Sequence, residues 1–120
     1  MIQKQILVGI LLKVQLKDKG ETMYKEIDFN KDIDFNLTNS GYTYFKKEKL
    51  VLLNFYSYNG PITMQYLPNG GIQSTFGYHL IIKVNNGFLA CDEVIYMNKK
   101  MTSKEFIENN QNLINTILPS

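Results

Sequence analysis

Residues 78–96 carry the strongest local signal in this chain, two strand-like runs separated by turn-forming residues. Apolar side chains occupy alternate positions of residues 78–84, the run Asn85-Asn86-Gly87 follows, and residues 88–96 are largely apolar. A period of two is typical of a strand with one buried face, and asparagine and glycine tolerate the positive φ angles of tight turns. The stretch therefore predicts an antiparallel β-hairpin.

A helix is predicted directly behind this hairpin. Thr102 and Glu105 have the S/T-x-x-E spacing of a capping box, in which each side chain satisfies a backbone amide at a helix start. Apolar residues then recur at helical spacing up to Leu118, and Pro119 follows. We expect a helix over about residues 102–118 that packs one apolar stripe against a sheet, with partner binding as the alternative role for that stripe.

The rest of the chain adds further strand signals. Strands are predicted, with turn residues between them, over residues 5–17, 21–29, 42–45, 50–58 and 72–76. In residues 62–67, Ile62, Met64 and Tyr66 alternate with Thr63, Gln65 and Leu67, which indicates a segment with one face exposed to solvent. These closely spaced turns predict a mainly β fold, an OB-like or similar small antiparallel β-barrel with a C-terminal α-helix. No linker or shift in composition divides residues 1–120, so a single domain is expected.

The composition points away from catalysis. Cys91 is the single cysteine, which excludes an internal disulfide and a cysteine-based zinc site, and its apolar surroundings predict a buried, inert thiol. His79 has no serine, cysteine or carboxylate at a recognisable spacing, so we expect a structural histidine. We predict no catalytic residue, no cofactor and no metal ligand, and we do not expect an enzyme.

Other sequence features bear on metal binding and location. Asp28, Asn30 and Asp32 have the spacing of the first EF-hand calcium ligands, but Ile33 stands where that loop needs glycine, which argues against calcium. No apolar run approaches the roughly 18 residues of a membrane-spanning helix. With one cysteine and no such run, a cytoplasmic location is expected.

Lysines at predicted turns suggest a binding surface. All thirteen basic residues are lysines, so any nucleic-acid contact must use point charges and not the arginine fork. Two clusters stand out, one of Lys46, Lys47 and Lys49 and the other of Lys99, Lys100 and Lys104. Our candidate RNA-backbone contacts are Lys46, Lys47, Lys49, Lys99 and Lys100. Nearby tyrosines could stack on bases if their rings are exposed, namely Tyr42, Tyr44, Tyr56, Tyr58 and Tyr66. A protein-interaction or oligomerisation domain and a barrel that binds a small ligand remain alternatives.

Part of the chain resembles the C-terminal domain of methionyl-tRNA formyltransferase. The residues that carry the likeness are Asn86-Gly87-Phe88-Leu89, Lys99-Lys100-Met101-Thr102 and Glu105-Phe106, together with Tyr42-Thr43-Tyr44-Phe45 and Lys49-Leu50 upstream. Asn98 stands where the family typically has glycine, and the family's tryptophan is absent. The resemblance implies an OB-like β-barrel whose basic face contacts tRNA, with the formyl-transfer residues in a separate N-terminal domain. Similar C-terminal domains also occur in sugar formyltransferases, which do not act on tRNA.

Overall fold

The computed structural model of this chain describes residues 24–75, 79–114 and 116–120. It confirms the predicted mainly β class with a helix near the C-terminus. The strands are β1 (Gly41–Phe45), β2 (Glu48–Leu53), β3 (Tyr56–Ser57), β4 (Ile72–Thr75), β5 (His79–Val84), β6 (Gly87–Cys91), β7 (Glu93–Tyr96) and β8 (Lys99–Thr102). Helix α1 covers Ser103–Asn109, and a single 3-10 turn covers Gln111–Leu113. The strand predicted over residues 5–17 lies outside the described residues.

The strands form two antiparallel sheets. The first sheet has the order β1-β2-β7-β8 and the second has the order β3-β6-β5-β4. The predicted hairpin is confirmed as β5 and β6, which pair from Leu80↔Cys91 to Val84↔Gly87. Of the predicted strand at residues 21–29, the described part makes only an isolated bridge between Glu26 and Tyr42.

One long ladder connects the two sheets. The register that pairs Leu53 of β2 with Glu93 of β7 continues unchanged where Tyr56 of β3 pairs with Ala90 of β6. Strands β2 and β3 are thus two halves of one bent strand, as are β6 and β7. The bend occurs near Asn54, which has a φ of 51°, so the ladder turns from one sheet into the other. The core fills the space between the sheets, and it includes Leu50, Leu52, Leu80, Ile82, Leu89 and Val94.

Helix α1 begins where the sequence predicts and ends earlier. The Glu105 amide donates to the Thr102 hydroxyl at 3.1 Å, so Thr102 is the N-cap. Phe106 anchors the helix in the core, with its ring 5.7 Å from Phe45 and 5.1 Å from Tyr96 between centroids. The predicted end near residue 118 is wrong, because the helix stops at Asn109.

Tertiary hydrogen bonds explain this early end. Residues 116–118 bond to the edge of β4 and the residues before it, with the Ile72 amide donating to the Thr116 carbonyl and the Leu118 amide donating to the Gly70 carbonyl. The Ser120 amide then donates to the Tyr44 carbonyl at the edge of β1. The final segment therefore bridges edge strands of the two sheets.

Residues 58–70 form an irregular loop, in which Ile62 and Met64 are half-buried while Thr63 and Gln65 are exposed. Gln73 of β4 is 1% exposed and holds this loop. Its Oε1 accepts from the Thr63 and Met64 amides, each at 3.0 Å, and its Nε2 donates to the Met64 carbonyl at 2.9 Å. The Gln73 side chain thus satisfies backbone groups of the loop that would otherwise bond to a neighbouring strand.

Candidate nucleic-acid interface

The two lysine clusters emerge at one end of the first sheet. The β1–β2 turn consists of Lys46 and Lys47, and the β7–β8 turn consists of Met97 and Asn98. Because β2 pairs with β7 through Leu50↔Tyr96, both turns project from the same end. We call this end, with its two turns, the lysine end.

Both turns are tight and conformationally demanding. The φ angles are 52° at Lys46, 66° at Lys47, 53° at Met97 and 65° at Asn98. Two-residue turns with positive φ at both central positions match the twist of an antiparallel hairpin and favour asparagine and glycine. Only Asn98 fits that preference. Lysine at two such positions is costly for the backbone, so turn formation alone does not account for it.

Lys49 and Lys100 occupy the outer face of the first sheet, which faces away from the core. Lys49 alternates with the core residue Leu50, and Lys100 pairs with Ile95, the outward neighbour of Val94. One strand separates the two lysines, which sets them about 10 Å apart across the sheet. Lys99 points the other way and its ammonium lies 3.6 Å from the Glu105 carboxylate.

The turn and outer-face lysines keep their charge available. In the described part of the chain, none of Lys46, Lys47, Lys49 and Lys100 forms an ion pair. The Lys99–Glu105 pair is exposed, and exposed pairs contribute little to stability and exchange readily with other partners. Within the described residues, the lysine end therefore presents four lysines that form no ion pair, with Glu48 as the acidic residue next to the β1–β2 turn.

Two of the five candidate tyrosines share the outer face with the lysines. Tyr42 and Tyr44 of β1 contact each other edge to face at 5.8 Å between ring centroids, and Lys49 Nζ lies 4.5 Å from the centre of the Tyr42 ring. Partial burial and the neighbouring Tyr44 raise the pKa of Tyr42 above its ordinary value. The two rings therefore form one contact pair on the outer face, beside Lys49.

The other three tyrosines lie elsewhere. Tyr56 begins β3, in the second sheet, and Tyr58 follows that strand. Tyr66 lies on the irregular loop and is 96% exposed. Of the five tyrosines considered for base stacking, Tyr42 and Tyr44 are therefore the ones that lie beside the lysines.

A histidine–aspartate–tyrosine cluster lies where the long ladder bends. Asp92 accepts from His79 Nδ1 at 2.7 Å and from the Tyr56 hydroxyl at 3.2 Å. The sequence shows no carboxylate at a recognisable spacing from His79, and the fold supplies one in Asp92. The two residues are 13 positions apart and meet through the pairing of β5 with β6, so no local motif marks them. Asp92 accepting from Nδ1 leaves Nε2 as the other polar atom of the imidazole.

The remaining polar features have structural roles. Cys91 is buried as predicted, and burial raises the pKa of its thiol to about 11, which disfavours the reactive thiolate. Asp28 accepts from the Asn30 amide, while Asp32 accepts from Asn85 Nδ2 at 2.6 Å. These two carboxylates therefore serve different backbone and side-chain partners. Among the described helices, none has the length and apolar character needed to cross a membrane.

Comparison with known proteins adds no family assignment. No protein-family model matches the chain, and no curated protein does so either.

Proposed function

We propose that this chain is a non-catalytic module that binds RNA through its phosphate backbone, in the manner implied by its resemblance to the C-terminal domain of methionyl-tRNA formyltransferase. The observation that carries the proposal is the lysine end. The pairing of β2 with β7 and of β7 with β8 places the turn of Lys46 and Lys47 at the same end of the sheet as the start of β8, the strand that carries Lys100. Ammonium groups that bind phosphates hold the RNA backbone in place without distinguishing one base from another.

The architecture supports an OB-like barrel. The bent ladder that runs through both sheets, and the final segment that bridges β4 and β1, are the devices by which small barrels close. The residues that carry the family likeness also fall on regular elements. Asn86-Gly87-Phe88-Leu89 covers the β5–β6 turn and the start of β6, and Lys99-Lys100-Met101-Thr102 is β8.

The outer face supplies a second type of contact. Tyr42 and Tyr44 lie beside Lys49, so a strand of RNA that follows the lysines would pass over phenol rings. Bases that stack on such rings gain about 1–3 kcal/mol each, whatever their identity. Lysine contacts and tyrosine stacking together predict binding with strong salt dependence and weak sequence preference.

A titration of tRNA at several salt concentrations tests the proposal. We expect the affinity to fall steeply with salt, with a slope of log K against log[salt] that reflects the number of phosphates contacted. Lys100→Gln should make this slope shallower by roughly one unit, because one phosphate is no longer neutralised. An affinity that does not depend on salt, or no binding, would end the proposal.

Lys31→Gln is the matched control for this titration. Lys31 is exposed, like Lys100. Its segment is tied to the β5–β6 turn by the bond between Asp32 and Asn85, and that turn lies at the far end of the long ladder from the lysine end. We expect Lys31→Gln to bind tRNA as the unchanged chain does. Sedimentation of the same sample would show whether self-association competes as an explanation.

A further inference from the structure

A cleft opens beside the lysine end, between the β7–β8 hairpin and the end of helix α1. It has a volume of about 300 Å³, and its lining consists of Tyr96, Met97, Lys99, Met101, Asn109 and Asn110. Pockets that hold small molecules span about 300–1,000 Å³. The cleft is therefore of a size that suits one nucleoside.

The walls of this cleft are apolar and partly aromatic. Tyr96 is 8% exposed, and its hydroxyl is occupied by a bond to the Phe45 carbonyl at 3.0 Å, so its ring is a fixed surface. Met97 is 65% exposed at a turn position with positive φ, where neither packing nor backbone preference calls for methionine. Thioethers adapt to irregular surfaces and make favourable contacts with aromatic rings. A flat, aromatic ligand suits these walls.

The polar groups of the cleft are side-chain amides. Asn110 Nδ2 donates to the Phe106 carbonyl at 2.9 Å, which leaves its Oδ1 as an acceptor. Asn109 is exposed, and within the described residues its side-chain amide has no hydrogen-bond partner. An amide offers a donor and an acceptor side by side, which matches the edge of a nucleobase. Lys99 lies at the rim, where its ammonium can meet a phosphate.

We propose, building on the RNA-binding function above, that this cleft takes the base of one unpaired nucleotide while the lysine end holds the adjoining backbone. Met97 and Met101 cover the faces of the base, and Asn109 and Asn110 bond its edge. Lys99 exchanges its exposed pairing with Glu105 for the phosphate of the same nucleotide. RNA with a single-stranded end should therefore bind more tightly than a fully paired duplex.

The test compares a blunt RNA hairpin with the same hairpin carrying a short 3′ overhang, at one fixed salt concentration. We expect the overhang to improve the affinity at least about fivefold, the lower end of what base stacking contributes. Met97→Ala and Asn109→Ala should each weaken binding of the overhang hairpin more than binding of the blunt one. Leu37→Ala is the matched control, because Leu37 is 83% exposed and lines no part of the cleft.

The outcomes separate the cleft from the proposed function. Equal, salt-dependent binding of both hairpins by the unchanged chain would overturn the cleft proposal and leave RNA binding intact. If neither hairpin binds, RNA binding fails, and a titration with AMP and UMP followed by NMR decides on the cleft alone. Shifts of the Met97 methyl and Asn109 amide signals would support a base site, and their absence at millimolar nucleotide would overturn it.

Discussion

Replacing Lys46-Lys47 by Asn-Gly should stabilise the fold and weaken RNA binding at the same time. The two lysines have φ angles of 52° and 66°, in the left-handed region that costs a residue with a side chain about 1–2 kcal/mol. Asparagine and glycine adopt these angles readily, although glycine loses about 0.5–1 kcal/mol through the greater entropy of the unfolded chain. We expect a net gain of about 1–2 kcal/mol in the free energy of unfolding.

The surrounding hydrogen bonds survive this change, so the gain should be measurable. The Lys46 amide donates to Ser120 Oγ at 3.1 Å and the Lys47 amide donates to the Ser120 carbonyl at 2.9 Å, and both bonds use backbone donors. Urea denaturation should show a midpoint raised by about 0.5–1 M, since the slope for a domain of this size is about 2 kcal/mol per M. A midpoint at or below that of the unchanged chain would refute the strain argument.

A control variant separates backbone strain from charge. Lys46→Gln combined with Lys47→Gln removes the same two charges and keeps side chains at positive φ. Both double variants should bind tRNA more weakly and with a shallower salt slope, but only the Asn-Gly variant should gain stability. If the Asn-Gly variant binds tRNA with unchanged affinity and slope, these lysines do not contact the RNA backbone.

Further substitutions test the buried polar groups. Tyr96→Phe should cost about 1–3 kcal/mol in urea denaturation, because the Phe45 carbonyl loses its donor, and an unchanged midpoint would contradict this. Gln73→Leu should cost about 2–4 kcal/mol and expose the Met64 region to protease, whereas a loop as resistant as before would contradict the anchoring role. The pKa of Cys91 is raised from 9.0 to about 11, so the folded state binds this proton more tightly, and about 2–3 kcal/mol of stability should disappear between pH 9 and pH 11. Cys91→Ala should remove that part of the pH dependence, and an equally steep decline in the variant would refute the assignment.

Local signals in the sequence were sufficient for the hairpin and for the start of the helix. The alternation before Asn85 and the Thr102 cap each depend on residues a few positions apart, so neighbouring side chains decide the outcome. The end of the helix depends on distant groups. Apolar spacing up to Leu118 suits a helix, but the edge of β4 offers the backbone of residues 116–118 hydrogen bonds that a continued helix would forgo.

Long-range pairing explains which parts of the candidate site could be foreseen. Lys46 and Lys47 were identifiable as turn residues, but their position at the same end as β8, which carries Lys99 and Lys100, depends on the pairing of Leu50 with Tyr96, which no local pattern specifies. The cluster of His79 with Asp92 was missed for the same reason. The bond network of Gln73 with Thr63 and Met64 is also long-range, and no local pattern in the loop indicates it.

The absence of arginine limits what the lysine end can recognise. An ammonium group is a compact point charge without the rigid fork of a guanidinium, so Lys46, Lys47 and Lys100 suit phosphates better than the fixed, paired recognition of one base edge. A side-chain amide holds a donor and an acceptor in fixed relation, and Asn109 and Asn110 are groups of that kind beside the lysine end. We expect selectivity to be confined to one unpaired nucleotide, with the rest of the RNA recognised by the path of its backbone.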